Sequence, residues 1–520
     1  MGRRIRSDPV TGDKTRASAL TPLEFARFLW TQLTSMRTAL SLLFLGALAA
    51  IPGSLIPQRP VSPAQVDKFL TDNPRLGGVY EALGLFNVYT SPWFSAIYLL
   101  LLISLVGCII PRCFVYARAL RAEPVAVPSR LDRMPVSASA PRSGSAASAL
   151  DRGEAWLKQH RYRVRRERGA LSAERGYLRE FGNLVFHISL VFLLIGITWT
   201  VTFGYRGTSN VLVGQGFSNT LTQYDEISSG PAFTDADLAP FSVVVEDFEA
   251  QFEQGEVNTG QPREFALLTR VVDEPGAQPR EYVIRLNEPL EVRNTQIHLL
   301  GHGYAPQMTV RDGDGNIAWQ GPSMFMPQDG NLTSTGVINA VDARPERLGF
   351  EGFFLPTGTV DEMGPRSLFP DALKPQVFLT AYHGPPKHET GVPTNVHTLD
   401  KNGLEQFSRP DGSPLAFKMD VGETVELPDG RGTITFDGYQ RWVRLQVSHQ
   451  PGMGFTLASV IVAVLGLCLS LFVRPRRLWV RVDDDRLDVA GLDRADARTG
   501  LADEVEQLAE SVLGEETRHD

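Results

Sequence analysis

The sequence predicts an integral membrane protein of the α-helical class, with four transmembrane helices, a large extracytoplasmic β-rich, sandwich-like domain and a small cytoplasmic α/β module. Three observations carry that prediction. Four windows, residues 38–56, 93–110, 181–203 and 455–473, hold no Asp, Glu, Lys or Arg, and a single His interrupts the third. Close to half of the chain lies in one block between the third and fourth windows and reads as short strands. Positive and negative residues separate sharply among the segments that the windows divide.

The windows come first. The chain has 520 residues, 43% hydrophobic and 21% charged, and its mean hydropathy of -0.10 averages over segregated parts. A hydrocarbon core about 30 Å thick needs about 20 apolar helical residues, so each window is long enough to span. Backbone polar groups cannot face lipid unpaired, which makes these spans helices. A soluble enzyme is excluded. The single large block between spans also excludes a many-helix transporter.

Charge sets the orientation. Residues 1–37 carry 7 Lys+Arg against 3 Asp+Glu, and residues 111–180 carry 15 against 7. The block 204–452 carries 18 against 33, and Arg474, Arg476, Arg477 and Arg481 follow the last span. The positive-inside rule assigns the basic segments to the cytoplasm. The expected plan is therefore a cytoplasmic arm with an interfacial helix (1–37), a first span (38–56), an external loop (57–92) and a second span (93–110). A cytoplasmic α/β module (111–180), a third span (181–203), an external β-rich domain (204–454), a fourth span (455–473) and a cytoplasmic tail (474–520) complete it. The lipid bilayer is an expected partner; no basic patch points to nucleic acid.

Each element has its own signal. Leu23, Phe25, Phe28, Leu29, Trp30 and Leu33 form an aromatic and apolar stretch fit to lie along a membrane surface. Within 111–180, the runs 136–140, 162–166 and 170–174 alternate as strands around an apolar-periodic stretch at 146–157, which predicts a strand-helix-strand-strand module. Runs such as 241–246, 265–272, 282–286, 297–300 and 433–436, punctuated by Asp-Gly pairs, predict a two-sheet fold outside. Residues 322–370, rich in Gly and Pro, read as a long irregular insertion.

Few motifs carry chemistry. Cys108, Cys113 and Cys468 all fall in or beside spans, so an external disulfide framework and a CxxC exchange site are both excluded. Asp312-Gly313-Asp314-Gly315-Asn316 opens like a calcium loop, but Ile317 and Ser323 stand where an EF-hand needs Gly and Glu. It reads as a hairpin turn. His298 and His302 lack an evident third ligand, and His383, His388 and His397 lie among Pro and Gly. No GxSxG, HExxH, P-loop or dinucleotide fingerprint occurs in a suitable context.

His187 stands apart as the only Asp, Glu, Lys, Arg or His inside any window. Counted from Glu180 at about 1.5 Å per residue, it lies about 10 Å below the expected cytoplasmic surface. Low dielectric favours its neutral form, which offers a lone pair to a metal. Three readings follow from the residues alone. His187 ligates a buried iron centre such as haem, it packs against a neighbouring helix through a hydrogen bond, or it relays protons.

Five strings narrow the choice. IPGSLIPQ (51–58), SPWFSAIYLLLLISLVGCIIPR (91–112), RGYLREFGNLVFHISLVFLLIG (175–196), LQVSHQPG (445–452) and FVRPRRLWV (472–480) together resemble the ResB family, also called CcsB, in the expected order. The likeness runs from about residue 31 to 480. Its members act in the System II pathway of cytochrome c maturation. The resemblance implies a bacterial inner-membrane protein in complex with a ResC (CcsA)-type partner, moving haem b outward and presenting it to apocytochrome c. It further implies that His187 is an axial ligand of the haem iron, with the second ligand from the partner. The chain would then not be catalytic alone, but a subunit of a cytochrome c haem lyase complex.

Departures and additions remain. The family commonly has Asp-Pro-Gly before its last span, where this chain has Gln450-Pro451-Gly452 preceded by His449. Arg175 and Arg179, just before the third span, are candidates for haem propionates, and positive-inside anchoring accounts for them equally well. The competing readings are a non-haem extracytoplasmic receptor or scaffold, and a proton-coupled carrier using His187.

Overall fold

Each apolar window lies almost wholly within a helix whose start is set locally. In the computed structural model, which describes residues 21–142, 144–362, 364–386, 398–493 and 500–514, α1 (Pro22–Leu33) begins with a capping box between Thr21 and Glu24, satisfying two otherwise orphaned donors. α2 (Met36–Leu55) follows the Ser35 cap, whose hydroxyl accepts from the Thr38 N–H. α3 (Pro63–Asp72) and α4 (Pro74–Ala82) are short. α5 (Pro92–Arg121) opens with Ser91 as cap and Pro92 in the first turn. α6 is Ala146–Gln159, α7 Leu178–Phe203, α8 Met453–Phe472 and α9 Leu501–Leu513. Among the described residues, α2, α5, α7 and α8 are the helices long and apolar enough to cross a membrane.

The chain divides into two compact units, residues 1–197 with 452–520, and residues 198–451. In the first unit α7 and α8 pack through small residues. Gly182, Ser189 and Gly196 are buried on α7, and Ser459, Ala463 and Gly466 on α8. The approach is so close that a Cβ on Gly182 would meet the Gly466 carbonyl, and one on Gly466 the Phe186 backbone nitrogen. In lipid such contacts, rather than hydrophobic exclusion, hold helices together.

The motif at 51–58 proves to be a fastener. Gln58 Nε2 donates to the carbonyls of Ile56 and Leu85, both at 2.9 Å, and its Oε1 accepts the Val88 N–H at 3.0 Å. One buried amide thus closes the loop between α2 and α5. Arg59 adds a bidentate pair to Glu81 at 2.9 Å.

The α/β module differs from expectation in one respect. It contains strands Val136–Pro141, Arg163–Glu167 and Ala170–Arg175 and helix α6. Residues 474–520, expected as a tail, also contribute to it, supplying Arg476–Val482, Arg486–Asp493 and α9. The antiparallel sheet has the order 136–141, 486–493, 476–482, 170–175, 163–167, so the later strands lie in its interior. The physical reason is an amphipathic pattern masked by acidic residues. Leu501, Val505, Leu508 and Val512 share one helical face and are buried against Leu157, Leu171, Leu478 and Val489. Residues 1–20, 494–499 and 515–520 lie outside the described residues.

The second unit is antiparallel β throughout its named strands. Two 18-residue strands, Thr295–Asp312 and Gly432–His449, pair along their lengths within a seven-stranded sheet. A four-stranded sheet covers one end of this pair. There Ile297, Val443, Leu445 and Val447 of the long strands are buried with Val243, Phe248 and Leu267 of the covering sheet. A six-stranded sheet covers the other end over Tyr304, Met308, Phe350, Phe354, Val377 and Phe436. The result is two sandwiches sharing one long antiparallel pair, where the sequence predicts a single two-sheet fold.

The stretch expected as an irregular insertion, 322–370, contains strands Ser334–Ala340 and Arg347–Leu355 of the six-stranded sheet. Gly336, Gly349, Gly352 and Gly358 in it are packing residues. A Cβ on Gly352 would collide with the Phe378 carbonyl of the paired strand. Composition alone reads such glycines as loop. The segment Asp312–Asn316 is the hairpin turn expected, with Asp312 Oδ1 accepting the N–H groups of Asp314 and Asn316 at 3.1 and 2.9 Å.

Candidate functional site

His187 sits on α7 five residues after Gly182, about 140° round the helix. The small-residue face of α7 is taken by α8, so His187 is turned away from that contact and lines a cleft walled by α2, α5 and α7. The cleft measures about 830 Å³. Its walls are mainly aliphatic, with Leu40 and Leu43 from α2, Leu101 and Leu105 from α5, and Leu190 and Leu194 from α7. Polar groups gather toward one end, where Arg112, Tyr116, Glu180 and Asn183 contribute.

The imidazole is half-buried and anchored from one side. Its Nδ1 lies 2.7 Å from the Asn183 carbonyl, one turn earlier. A carbonyl only accepts, so Nδ1 carries a proton, and the tautomer this bond selects has its lone pair on Nε2. Nε2 has no hydrogen-bond partner among the described residues. The Phe186 ring stands edge-on at 5.2 Å between centroids. A histidine held through Nδ1 to a carbonyl, with Nε2 offered to an apolar space, has the arrangement found at metal-ligating imidazoles.

The lining fits a metal-bearing macrocycle better than a bare ion. Among the described residues no group of three His, Cys, Asp or Glu could hold a metal. A lone imidazole is too few ligands for a structural zinc site, but one axial nitrogen suffices where a porphyrin fills the equatorial positions. The aliphatic walls suit the ring, as ligand pockets combine an apolar surface with few polar groups.

The other candidates fall elsewhere. Arg175 Nη2 donates to Glu504 at 2.7 Å, and its guanidinium lies 4.6 Å from the Tyr162 ring centroid. It lines a separate cleft of about 540 Å³ with Arg161, Arg163, Arg474 and Arg476. Arg179 stands in the first turn of α7. Neither is among the residues lining the His187 cleft. Of the cysteines, Cys108 lines the cleft and its thiol donates to the Thr34 carbonyl at 2.7 Å. Cys113 is half-buried and Cys468 exposed.

The described histidines of the second unit have other surroundings. His302 lies among Phe248, Phe252 and Phe265. Burial, then the Arg441 cation, pushes its pKa down to about 4 against a smaller opposing pull from Asp371. His383 Nδ1 pairs with Glu346 at 2.7 Å. His449 Nδ1 donates to the Asn294 carbonyl at 3.0 Å. His298 lies on strand Thr295–Asp312 opposite Gln446. His388 and His397 lie outside the described residues.

Sequence reading missed Arg112, Tyr116 and Asn183. Leu101, Leu105, Cys108, Arg112 and Val115 recur at helical spacing on one face of α5, but nothing in the sequence states that α7 faces them. The profile of the ResB-like family matches residues 36–506. The chain belongs to the ResB-like family.

Relatives named cytochrome c biogenesis protein CcsB resemble this ResB-like chain over nearly its whole length. That of Synechococcus sp. (strain CC9902) is 28% identical over 468 residues, covering 88% of this chain and 92% of the relative. That of Synechococcus elongatus is 27% identical over 486 residues, covering 92% and 91%. That of Prochlorococcus marinus (strain MIT 9303) is 24% identical over 493 residues, covering 92% and 96%. In the ResB-like chain the family match runs from α2 into α9, so it includes the whole cleft and the sheet strands contributed after α8.

Proposed function

We propose that this chain acts in cytochrome c biogenesis as the ResB-like subunit of a membrane complex that moves haem b across the membrane and supports its covalent attachment to apocytochrome c. The observation that carries the reading is the His187 imidazole, proton on Nδ1 and lone pair on Nε2, opening into an aliphatic cleft. Family membership and full-length likeness to proteins named for cytochrome c biogenesis support it.

In this reading His187 Nε2 would hold the haem iron, and the Asn183 carbonyl would keep the ring in the ligating tautomer and orientation. The aliphatic walls of α2, α5 and α7 cover the macrocycle and exclude water. Haem supplies the iron and the vinyl groups that become thioether-linked; this chain binds, orients and shields. The basic segments 111–180 and 474–481 face the cytoplasm, which puts His187 within reach of haem entering from that side. The β unit, outside, would hold the apocytochrome or brace a ResC (CcsA)-type partner that would contribute a second ligand to the haem.

Complementation tests the function. In cells lacking the native chain, the wild-type protein restores covalent haem in c-type cytochromes, and His187→Ala lowers it severalfold while b-type haem proteins are unaffected. Full restoration by His187→Ala overturns the importance of this ligand. Equal loss of b-type haem assigns the chain to general haem supply, and a defect in proton-coupled uptake with normal cytochromes returns the relay reading.

A further inference from the structure

We infer that Arg112 is the carboxylate-binding residue of the His187 cleft, contacting the propionates of the haem bound there. The inference rests on the reading of the cleft as a haem site.

The helix register makes the argument. Tyr98 donates its hydroxyl to the Leu194 carbonyl at 3.1 Å, and Tyr116 to the Tyr177 carbonyl at 3.3 Å. These two bonds set α5 antiparallel to α7 and bring Leu105 to the level of His187. Arg112 is seven residues further along α5, on the same lining face, about 10 Å at 1.5 Å per residue. That displacement corresponds to the reach from the centre of a porphyrin to the carboxylates on its rim. It also lies toward the expected cytoplasmic end, where the carboxylate edge of a macrocycle held by His187 would meet a cation while the aliphatic walls cover the rest.

The guanidinium is open to a ligand. Among the described residues its hydrogen bond is from Nη2 to the Met36 sulfur at 2.8 Å, and thioether sulfur is a weak acceptor. Glu180 lines the same end and is engaged by an interaction of its own. A carboxylate at that end disfavours an incoming carboxylate, so a cation lining the same cleft is needed for a dianionic ring to be accepted. A guanidinium presents paired donors that match a carboxylate. A phospholipid phosphate has related chemistry, and the test separates the two.

Full-length protein in phosphatidylcholine nanodiscs is titrated with ferrous protohaem IX and with its dimethyl ester, following the Soret band. Arg112→Gln is expected to weaken protohaem IX binding about ten- to hundredfold, the range of a charge-assisted hydrogen bond. The ester, lacking charge, binds native and variant protein alike, which also shows that the variant is folded. Arg112→Lys recovers part of the loss. Equal weakening of acid and ester, or no weakening of either, overturns the inference and leaves Arg112 to lipid phosphate or to packing. If His187→Ala binds protohaem IX with an unchanged spectrum, or native protein binds neither porphyrin, the cleft reading itself fails.

Discussion

The Nδ1–H of His187 donates to the main-chain carbonyl of Asn183 at 2.7 Å, within α7. Because the acceptor is backbone, substitution of the Asn183 side chain preserves the bond. The tautomer is therefore a property of the helix and not of a replaceable neighbour. One turn of backbone keeps the imidazole aimed into an apolar cleft.

The α7–α8 contact is predicted to be intolerant of volume. Gly466→Leu must displace the Phe186 backbone, and overpacking of this kind costs about 1–3 kcal/mol. Thermal unfolding in detergent should show a lower midpoint than the native protein. An unchanged midpoint would mean that the two helices are not held at this distance.

Gln58 fastens the α2–α5 connection by three hydrogen bonds. Gln58→Leu leaves the Val88 N–H and the Leu85 carbonyl without those partners, at a cost of about 1–3 kcal/mol. Hydrogen exchange at Val88 is expected to accelerate while α7 and α8 keep their protection. Unaltered exchange would show that the loop is held by its apolar contacts alone.

Glu504 joins α9 to the module sheet. Its carboxylate pairs with Arg175 at 2.7 Å and Arg476 at 2.9 Å, and accepts the Tyr162 hydroxyl at 2.8 Å. Burial alone would raise its pKa; Tyr162, Arg476 and Arg175 together outweigh burial and hold it below the ordinary value. Losing charge-assisted hydrogen bonds in such a half-buried network costs about 1–3 kcal/mol. Glu504→Gln should make α9 more susceptible to limited proteolysis, with loss of the α9 peptide from the core fragment as the readout, and native-like resistance would remove this network from the account.

His302 predicts a pH dependence. Its folded pKa of about 4 lies below the ordinary value of 6.5, so the folded state holds the neutral ring. Its contribution is complete above pH 6.5 and is lost as pH falls toward 4, because the unfolded chain binds the proton more readily. The loss is on the order of 3 kcal/mol. His302→Leu should flatten the decline in melting temperature between about pH 6.5 and 4.5, whereas an identical decline would place the titrating group elsewhere.

Much of this architecture is legible in the sequence, for definite reasons. Charge-free runs at bilayer length can only be helices, so α2, α5, α7 and α8 follow from composition. His187 is visible because an ionisable group stands out against aliphatic neighbours. The strands at 476–493 are hidden because arginines and aspartates are interspersed with the buried Leu478, Val480, Leu487 and Val489, and position after the last span reads as a tail. Arg112 is hidden because its meaning depends on the antiparallel register with α7, a long-range relation absent from local pattern. Arg175 draws attention by standing just before the third span, yet it belongs to the module sheet, paired with Glu504.

The central claim is tested most directly by the ligand field of iron in the purified complex of this chain with its partner. The account predicts that the native complex retains low-spin haem with an imidazole axial ligand, that His187→Gly loses it, and that added free imidazole restores the spectrum. Haem content and ligand-field bands unchanged in His187→Gly, without added imidazole, would contradict it.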